Sequence, residues 1–235
     1  ILQVKFGASF DEVTRRQIDY EEKFELAWLR ASLEGSLRRL RREVVEILQF
    51  QIGNYDLVWQ AELIGELDQL VQEGKILSYS IGTGEIERAR MFAIADHCAA
   101  ILHSHNVMQP AGPILDLCAE NGVASLGGVP FFMGALVDPT AATRKLPADD
   151  VRAGIYRHER FQAMLAQMQG LQPLLSEDGR SLVAGALGWV WAQGEHTIPL
   201  PGFRNSEQVQ AVIDALEKGP LAERTLGAIE VALDR

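Results

Sequence analysis

Short apolar runs that alternate with amphipathic segments are the feature that most constrains the fold of this chain. The runs have the length and composition of strands buried on both faces, as in parallel sheets. The segments between them repeat apolar residues at helical spacing. Strands separated by helices imply right-handed βαβ units, so the sequence predicts an α/β fold and a single domain over residues 1–235. The predicted strands are Leu2–Phe6, Val44–Phe50, Ile76–Ile81, Ala99–His103, Ala124–Val129 and Thr197–Leu200.

Helices are predicted between these strands, for example over Leu29–Leu40 and Leu63–Val71. The joints at Gly74 and Gly122 have the pattern of helix ends followed by glycine, which tolerates left-handed backbone. A long helical piece at Arg157–Gly170 and a C-terminal helix at about 221–233 fall outside the alternation. The other predicted helices contain Glu85–His97, Pro113–Asn121, Leu182–Val190 and Val209–Leu216.

Composition argues against several classes of function. The net charge of −10, from 32 acidic and 22 basic residues, disfavours a nucleic-acid partner. No apolar stretch reaches the roughly 20 residues of a membrane span, and the first residues do not have the pattern of a signal peptide. Cys98 and Cys118 lie in apolar runs, which favours buried thiols over a disulfide or metal site. We therefore expect a reduced, cytoplasmic protein.

The stretch HTIPLPGFRNSEQVQAVIDAL, residues 196–216, predicts a strand, a Pro-Gly turn and a helix capped by Ser206. A helix N-terminus presents unpaired N–H groups and a partial positive charge to an anion. Arg204, just before it, has a planar guanidinium that suits a phosphate. An ordinary connection with a solvated arginine is the alternative on this stretch alone.

Several segments, taken in order, resemble the aldo-keto reductases. They are ASLEGSLRRL, ELDQLVQEGKI, ILDLCAENGVASLGGVPFFMGAL and GALGWVWAQGEHTIPLPGFRNSEQV, preceded by a lysine on the first predicted strand. That family is a (β/α)₈ TIM barrel that reduces carbonyl compounds with NADPH, usually without a metal. The resemblance covers almost the whole chain and implies that its six strands correspond to barrel strands three to eight.

The resemblance also implies roles for individual residues. Lys5 would lower the pKa of a catalytic tyrosine, as a nearby cation can. Gln51 stands where the family usually has histidine; it cannot titrate near neutral pH but can donate a hydrogen bond to a carbonyl. The residues that match cofactor-binding positions are Thr83, Leu102, Gly128, Val129, Pro130, Phe131, Met133, Gly134, Gly202, Phe203, Arg204, Asn205 and Gln208.

Some of these positions depart from the family's pattern. Gly82-Thr83 replaces a Ser-Asn pair, and Leu102 replaces a glutamine. Gly128 replaces the tyrosine on which the nicotinamide stacks, a contact worth on the order of 1 kcal/mol. Phe131 or Phe132 could stack instead or simply pack. The family's first two strands, with its catalytic Asp and Tyr, have no counterpart, so we expect that the sequence omits an N-terminal part rather than forming an open barrel.

His103 and His105 are two residues apart on a predicted strand and would share a face. With a third ligand they could bind a metal, but no Asp, Glu or Cys at ligand spacing stands near them. The resemblance would place them at the substrate pocket. Structural or solvent-facing roles stay open as well.

The sequence therefore predicts an NADPH-dependent oxidoreductase that reduces an aldehyde or ketone, or oxidises an alcohol, by hydride transfer. Its partners would be NADP(H) and a small carbonyl substrate, with no metal, nucleic acid or membrane, and a homo-oligomer is left open. One alternative is a catalytically impaired barrel kept as a binding or assembly module. Another is a sugar or pyridoxal dehydrogenase that uses NAD, against which Arg204 argues. Substrate choice would depend on loops such as Asp138–Asp150.

Overall fold

The structure is a computed structural model. It describes residues 1–7, 9–10, 17–18, 26–51, 56–138, 140, 145–147, 150 and 152–235. Within that part of the chain, no helix is long and apolar enough to cross a membrane. The described residues form two compact units. The first contains Ile1–His103 and Gly112–Ser125, and the second contains Ser104–Ala111 and Leu126–Arg235.

Strands and helices alternate along much of the chain, as the apolar pattern predicts. The strands are β1 (Gln3–Phe6), β2 (Ser9–Phe10), β3 (Gln17–Ile18), β4 (Val45–Gln51), β5 (Ile76–Gly82), β6 (Cys98–Ser104), β7 (Ala124–Gly128) and β8 (Thr197–Pro199). The α-helices are α1 (Leu26–Leu40), α2 (Leu57–Gln72), α3 (Ile86–Ala93), α4 (Gly112–Asn121), α5 (Arg152–Arg157), α6 (Glu159–Leu175), α7 (Leu182–Trp191), α8 (Ser206–Lys218) and α9 (Glu223–Ala232).

The first unit is built on parallel strands in the order β1-β4-β5-β6. Side chains alternate across a strand, so the face of β4 that carries Leu48 and Phe50 is opposite to the face that carries Gln49. Phe50 and Tyr79 are fully buried in the apolar core with residues of α1 to α4. The ring of Phe50 lies 5.6 Å from that of Trp59 on α2. Helices therefore cover one face of these strands, and the polar glutamine lies on the other.

Helix ends in this unit follow the chemistry of their sequence. Asp56 caps α2 by accepting a hydrogen bond from the Trp59 N–H at 2.8 Å. Gly74 and Gly122 have φ of 70° and 66°, as expected for glycines that end helices. The predicted helix over Glu85–His97 was too long, because α3 ends at Ala93 and tight turns follow it.

The second unit contains β8 and most of β7. Leu200, directly after β8, donates its N–H to the carbonyl of Gly127 on β7 at 2.9 Å. Its apolar core is formed by buried residues of the loop after β7 and of α5, α6, α7 and α9, including Trp189. A Cβ built on Gly185 of α7 would overlap the carbonyl oxygen of Leu175 at the end of α6. Glycine at this position therefore allows the two helices to approach closely.

Two helical features of this unit differ from expectation. The predicted helix Arg157–Gly170 is observed as α6, which begins after the cap His158 and continues to Leu175 despite Pro173. The sequence gives no apolar periodicity for the short helix α5, and it was not predicted. The C-terminal helix expected at about 221–233 is present as α9.

The two thiols are free, as expected. Cys118 is buried and Cys98 is partly buried. Burial disfavours the thiolate and raises the pKa of Cys98 to about 12 and that of Cys118 to about 11. Neither side chain therefore has the depressed pKa of a reactive cysteine.

Candidate active site

Lys5 and Gln51 are carried by neighbouring strands of the first unit. Lys5 lies on β1 in register with Gln49 of β4, and Gln51 is two residues further along β4. Lys5 is an exposed residue, but nearby protein atoms exclude part of the water from its amine. This desolvation lowers the pKa of the amine.

Hydrogen bonds between glutamines fix the orientation of Gln51. Gln3 Nε2 donates to Gln49 Oε1, and Gln49 Nε2 donates to Gln51 Oε1 at 3.3 Å. A Cβ on Gly82 would lie 3.1 Å from Gln49 Nε2, so glycine at that position leaves space for the amide. Because its oxygen accepts from Gln49, Gln51 can offer its Nε2 hydrogens to a carbonyl oxygen.

Thr83 and Leu102, also in the first unit, are neighbours across β5 and β6. The Thr83 N–H donates to the Leu102 carbonyl at 2.8 Å. The Thr83 hydroxyl oxygen accepts from the Glu85 N–H at 3.0 Å and so supports the turn into α3. Its O–H hydrogen can still be donated to a ligand.

The two histidines of HSHN have close contacts within the protein. In the first unit, His103 is 4% exposed and its Nε2 lies 2.8 Å from Ser125 Oγ. In the second unit, His105 is fully buried, its Nδ1 accepts from the Ala111 N–H at 3.3 Å, and its ring is 5.0 Å from that of Trp189. The described residues contain no group of three or more His, Cys, Asp or Glu that could hold a metal ion. These contacts favour structural roles over a metal site.

A cavity of about 670 Å³ in the second unit is lined by most of the residues of that unit that were expected to bind the cofactor. Its wall joins the loop after β7 to the turn between β8 and α8. The expected residues that line it are Val129, Pro130, Phe131, Met133, Gly134, Gly202, Phe203, Arg204 and Gln208. Gly128 and Asn205 do not line it; the Gly128 carbonyl accepts from the His105 N–H, and Asn205 caps α8.

The backbone of the loop after β7 is left-handed at several residues that line this cavity. Val129, Met133 and Gly134 have φ of 55°, 59° and 96°. Left-handed backbone is unfavourable for a β-branched residue such as Val129 and persists only where surrounding contacts impose it. Asn106 Nδ2 donates to the Val129 carbonyl at 3.1 Å, and the Tyr156 hydroxyl donates to the Met133 carbonyl at 2.6 Å.

Sequence reasoning missed both of these supporting residues. Asn106 is fully buried, but a single Asn after a strand carries no signal that distinguishes it from a turn residue. Tyr156 lies on α5, which was itself not predicted. Each supports the loop through a partner that is more than 20 residues away in the chain.

The cap of α8 is one residue earlier than predicted. Asn205 rather than Ser206 has the extended backbone of a cap, and its Oδ1 accepts from the Gln208 N–H at 2.9 Å. Gln208 Oε1 in turn accepts from the Arg204 N–H at 2.7 Å. Asn and Ser are about equally good caps, so composition alone could not choose between them. The Arg204 side chain is exposed beside this turn.

Arg152 and Asp138 are further charged residues, among those that the structure describes, that line the same cavity. Arg152 is paired with Asp150, and its guanidinium and backbone N–H lower the pKa of that carboxyl to about 2, with Arg204 contributing at longer range. The loop Asp138–Asp150, expected to govern specificity, lies partly outside the described residues, which omit 139, 141–144 and 148–149.

A second cavity of the second unit, about 500 Å³, shares Val129 and Met133 with the first. Its wall is largely apolar and aromatic, with a few polar groups. Its other lining residues are Ser104, Gln109, Phe132, Gly154, Ile155, His158, Arg160, Phe161 and Met164. Phe132 and Phe161 stack with their ring centroids 4.9 Å apart.

The residues of the larger cavity fit a nucleotide. Its volume lies within the range of roughly 300–1,000 Å³ that small-molecule and cofactor sites occupy. Apolar walls such as Val183 and Val212 can cover a base or ribose, while Arg152 and Arg204 supply cations for phosphate groups. The chemistry of this set of residues suits a ligand with an apolar body and several negative charges.

Known proteins are similar to this chain in sequence. Residues 5–234 match the model of the aldo/keto reductase family. The aldo-keto reductase yakc of Schizosaccharomyces pombe, whose name specifies NADP(+), is 22% identical over 246 residues, which cover 99% of this chain and 69% of that protein.

Solved structures of aldo-keto reductases share the fold. The glycerol dehydrogenase AKR11B4 from Gluconobacter oxydans superposes with a TM-score of 0.82 at 26% identity, over 97% of this chain and 70% of its own. The holo form of the aldo-keto reductase AKR11C1 from Bacillus halodurans gives 0.78 at 21% identity, over 99% of this chain and 72% of its own. The predicted α/β fold of the TIM-barrel type is thereby confirmed.

Proposed function

This chain belongs to the aldo/keto reductase family, and on that premise we propose that it binds NADP(H) and reduces a small aldehyde or ketone. The observation that carries the proposal is the larger cavity of the second unit. It joins the loop after β7, at Val129–Gly134, to the turn at Gly202–Gln208, and both were expected to bind the cofactor. The name of the relative from Schizosaccharomyces pombe, which specifies NADP(+), supports the choice of cofactor.

Arg204 is the residue proposed to hold the 2′-phosphate that distinguishes NADPH from NADH. Its backbone is fixed to Gln208, and its exposed guanidinium can turn to a phosphate at the mouth of the cavity. The N–H groups at the start of α8 favour the same negative charge. Gly202 has open space where a Cβ would be, so a ligand can approach its backbone closely.

The chemistry that bound NADPH would supply is a hydride for the carbonyl carbon, and the remaining tasks belong to the chain. Gln51 is proposed to donate its Nε2 hydrogen to the carbonyl oxygen, in an orientation set by Gln49. Lys5 is proposed to favour negative charge on that oxygen or on an adjacent acid. Both roles follow from the family's motif positions.

The substrate is proposed to occupy the smaller, largely apolar cavity. It adjoins the cofactor cavity at Val129 and Met133, so the two ligands could meet there. Phe132, Phe161 and Met164 would bury an apolar body, and apolar burial contributes about 25 cal/mol per Å². A hydrophobic or aromatic carbonyl compound is therefore the proposed substrate class. The comparisons do not favour the alternative of a barrel kept only for assembly.

Nucleotide fragments test the cofactor site independently of turnover. 2′,5′-ADP carries the 2′-phosphate without a nicotinamide, and 5′-AMP lacks that phosphate. In ¹⁵N–¹H spectra, 2′,5′-ADP should shift the amides of Gly134, Gly202 and Gln208, and 5′-AMP should shift them at much higher concentration. Shifts that spread over other surfaces, or equal affinity for the two nucleotides, would refute the proposed site.

Turnover is the second part of the test. Oxidation of NADPH, followed by its absorbance, should accompany reduction of aromatic aldehydes more readily than of small polar ones. Substitution of Met164 by Lys should reduce this preference by placing a charge in the apolar wall. A folded protein that binds NADPH but oxidises it with no aldehyde or ketone would contradict the reductase activity.

A further inference from the structure

Arg152 lines the cofactor cavity together with Arg204, although no motif pointed to it. It is the first residue of α5 and follows the loop that joins this helix to β7. Its side chain is 24% exposed, so it is more buried than the exposed Arg204. The wall of one cavity thus carries two arginines from different parts of the chain.

Asp150 fixes the orientation of the Arg152 guanidinium. Nε donates to Oδ1 at 2.9 Å and Nη2 donates to Oδ2 at 2.6 Å, while the Arg152 N–H also donates to Oδ1 at 2.9 Å. A two-point pair of this kind holds the plane of the guanidinium in one position. The pair uses only one edge of the group, and Nη1 takes no part in it. Of its five N–H groups the pair uses two; the Tyr156 hydroxyl also interacts with the guanidinium, and the N–H groups that remain can donate to a ligand.

The charges of the cavity wall fit two separate anionic groups. Among the described residues that line it, Arg152 and Arg204 are the cations and Asp138 is the carboxylate, which accepts hydrogen bonds from Thr140. NADP(H) carries a 2′-phosphate and a diphosphate, whereas NAD(H) carries only the diphosphate. Arg204 is already assigned to the 2′-phosphate, which leaves Arg152 for the second group. Arginine suits a diphosphate because its planar donors match neighbouring phosphate oxygens.

We propose that Arg152, oriented by Asp150, binds the diphosphate of the nicotinamide dinucleotide. This inference rests on the proposed function. It assigns different tasks to the two arginines: Arg152 sets the affinity for both dinucleotides, and Arg204 sets the preference for the phosphorylated one. The two roles can be separated by experiment because one phosphate group is common to both cofactors and the other is not.

The test is a titration of wild-type, R152Q and R204Q chains with NADPH and with NADH. R152Q should weaken the binding of both cofactors by about tenfold or more, as expected for loss of a hydrogen bond between charged groups. R204Q should weaken the binding of NADPH and leave the binding of NADH unchanged. R157Q is the matched control, because Arg157 lies on the same helix, donates to the Ala153 carbonyl and does not line the cavity.

A double variant separates the loss of a phosphate-binding group from the repulsion caused by an unpaired Asp150 carboxylate. R152Q alone leaves the Asp150 carboxylate without its arginine, and this charge could repel a phosphate. D150N/R152Q removes both charges and should still bind both dinucleotides about tenfold more weakly than wild type. Recovery of wild-type affinity in the double variant would overturn the proposal.

The remaining outcomes are also decisive. R152Q that binds both cofactors like wild type, or that loses affinity for NADPH alone, would overturn the assignment to the diphosphate while the proposed function stands. A folded wild-type chain that binds neither cofactor would overturn the proposed function and this inference with it. Circular dichroism and melting temperature of each variant establish that the protein compared is folded.

Discussion

Asn106 anchors the strained loop that lines the larger cavity to the rest of the second unit. It is fully buried, it donates from Nδ2 to the Val129 carbonyl at 3.1 Å, and its Oδ1 accepts from the Met108 N–H at 3.0 Å. Left-handed backbone at Val129 costs roughly 1–3 kcal/mol unless contacts of this kind offset it. Asn106 therefore links stability to the shape of the site.

Substitution N106A should lower the free energy of unfolding by about 2 kcal/mol, because it leaves two partly buried backbone groups, the Val129 carbonyl and the Met108 N–H, without their partner. It should also weaken NADPH binding, since the loop at Val129 would lose its support. N121A is the control: Asn121 donates to the Leu117 carbonyl at an exposed helix end and should cost less than about 1 kcal/mol. Urea denaturation measures the free energy of unfolding of both variants. Equal losses in N106A and N121A would contradict this role of Asn106.

Asp150 gives the second prediction at this scale. Its pKa in the folded protein, about 2, lies below the value of roughly 3.9 expected for an unfolded chain. Its ionised form therefore stabilises the folded state fully above the unfolded pKa, and this contribution is lost as the pH falls through about 2. The difference in unfolding free energy between wild type and D150N should be constant from pH 7 to pH 5 and should shrink from pH 4 to pH 2. Shrinkage already between pH 7 and pH 5 would show that another group titrates.

At the scale of single elements, the start of α8 combines a helix cap with the proposed phosphate site. Asn205 caps the helix, and its neighbour Arg204 is proposed to bind the 2′-phosphate. The same few residues thus affect both folding and cofactor choice. Replacements that keep the cap but change the charge can separate the two effects.

N205A should lower the free energy of unfolding by about 1 kcal/mol because the Gln208 N–H loses its acceptor. N205D should keep the cap and the stability, since aspartate is an equally good cap. Its negative charge should nevertheless weaken NADPH binding by about fivefold, as expected for two charges a few ångströms apart in water. If N205D bound NADPH as tightly as wild type, the 2′-phosphate would not lie at this helix end.

Packing of α7 on α6 gives another prediction for the elements. G185A should lower the free energy of unfolding by about 3 kcal/mol, because the added Cβ overlaps the Leu175 carbonyl and the helices must separate. G227A on α9 is the matched control, since a Cβ there has open space. It should raise stability by about 0.5–1 kcal/mol through helix propensity. Chemical denaturation of both variants checks the pair, and a neutral G185A would contradict the close approach.

Local pattern explains which elements could be predicted. The strand predicted over Ile76–Ile81 is observed over Ile76–Gly82. It could be predicted because a buried apolar run is visible in the sequence. The helix expected to reach His97 ends at Ala93, since the following turns depend on hydrogen bonds that leave no periodic signal. The same limit applies to Arg152, whose partner lies in an irregular loop.

At the scale of the whole molecule, the order of motifs along the chain predicted the family, and the match over residues 5–234 confirms it. That order is more informative than any one motif, because each short pattern also occurs in unrelated proteins. It could not predict the cavity walls, which are formed by residues far apart in sequence, such as Val129 and Arg204. Nor could it predict the smaller cavity, whose wall includes residues of the unpredicted helix α5 and of α6 together with residues more than 40 positions earlier, such as Ser104.

The measurement that tests the central claim most directly is a calorimetric titration of the folded chain with NADPH and, in parallel, with NADH. We predict saturable micromolar binding of NADPH, weaker binding of NADH, and loss of this preference in R204Q, because Arg204 would contact only the 2′-phosphate. Equal affinity of wild type for the two cofactors would contradict the role of Arg204. Binding of neither cofactor to a folded sample would contradict the oxidoreductase function itself.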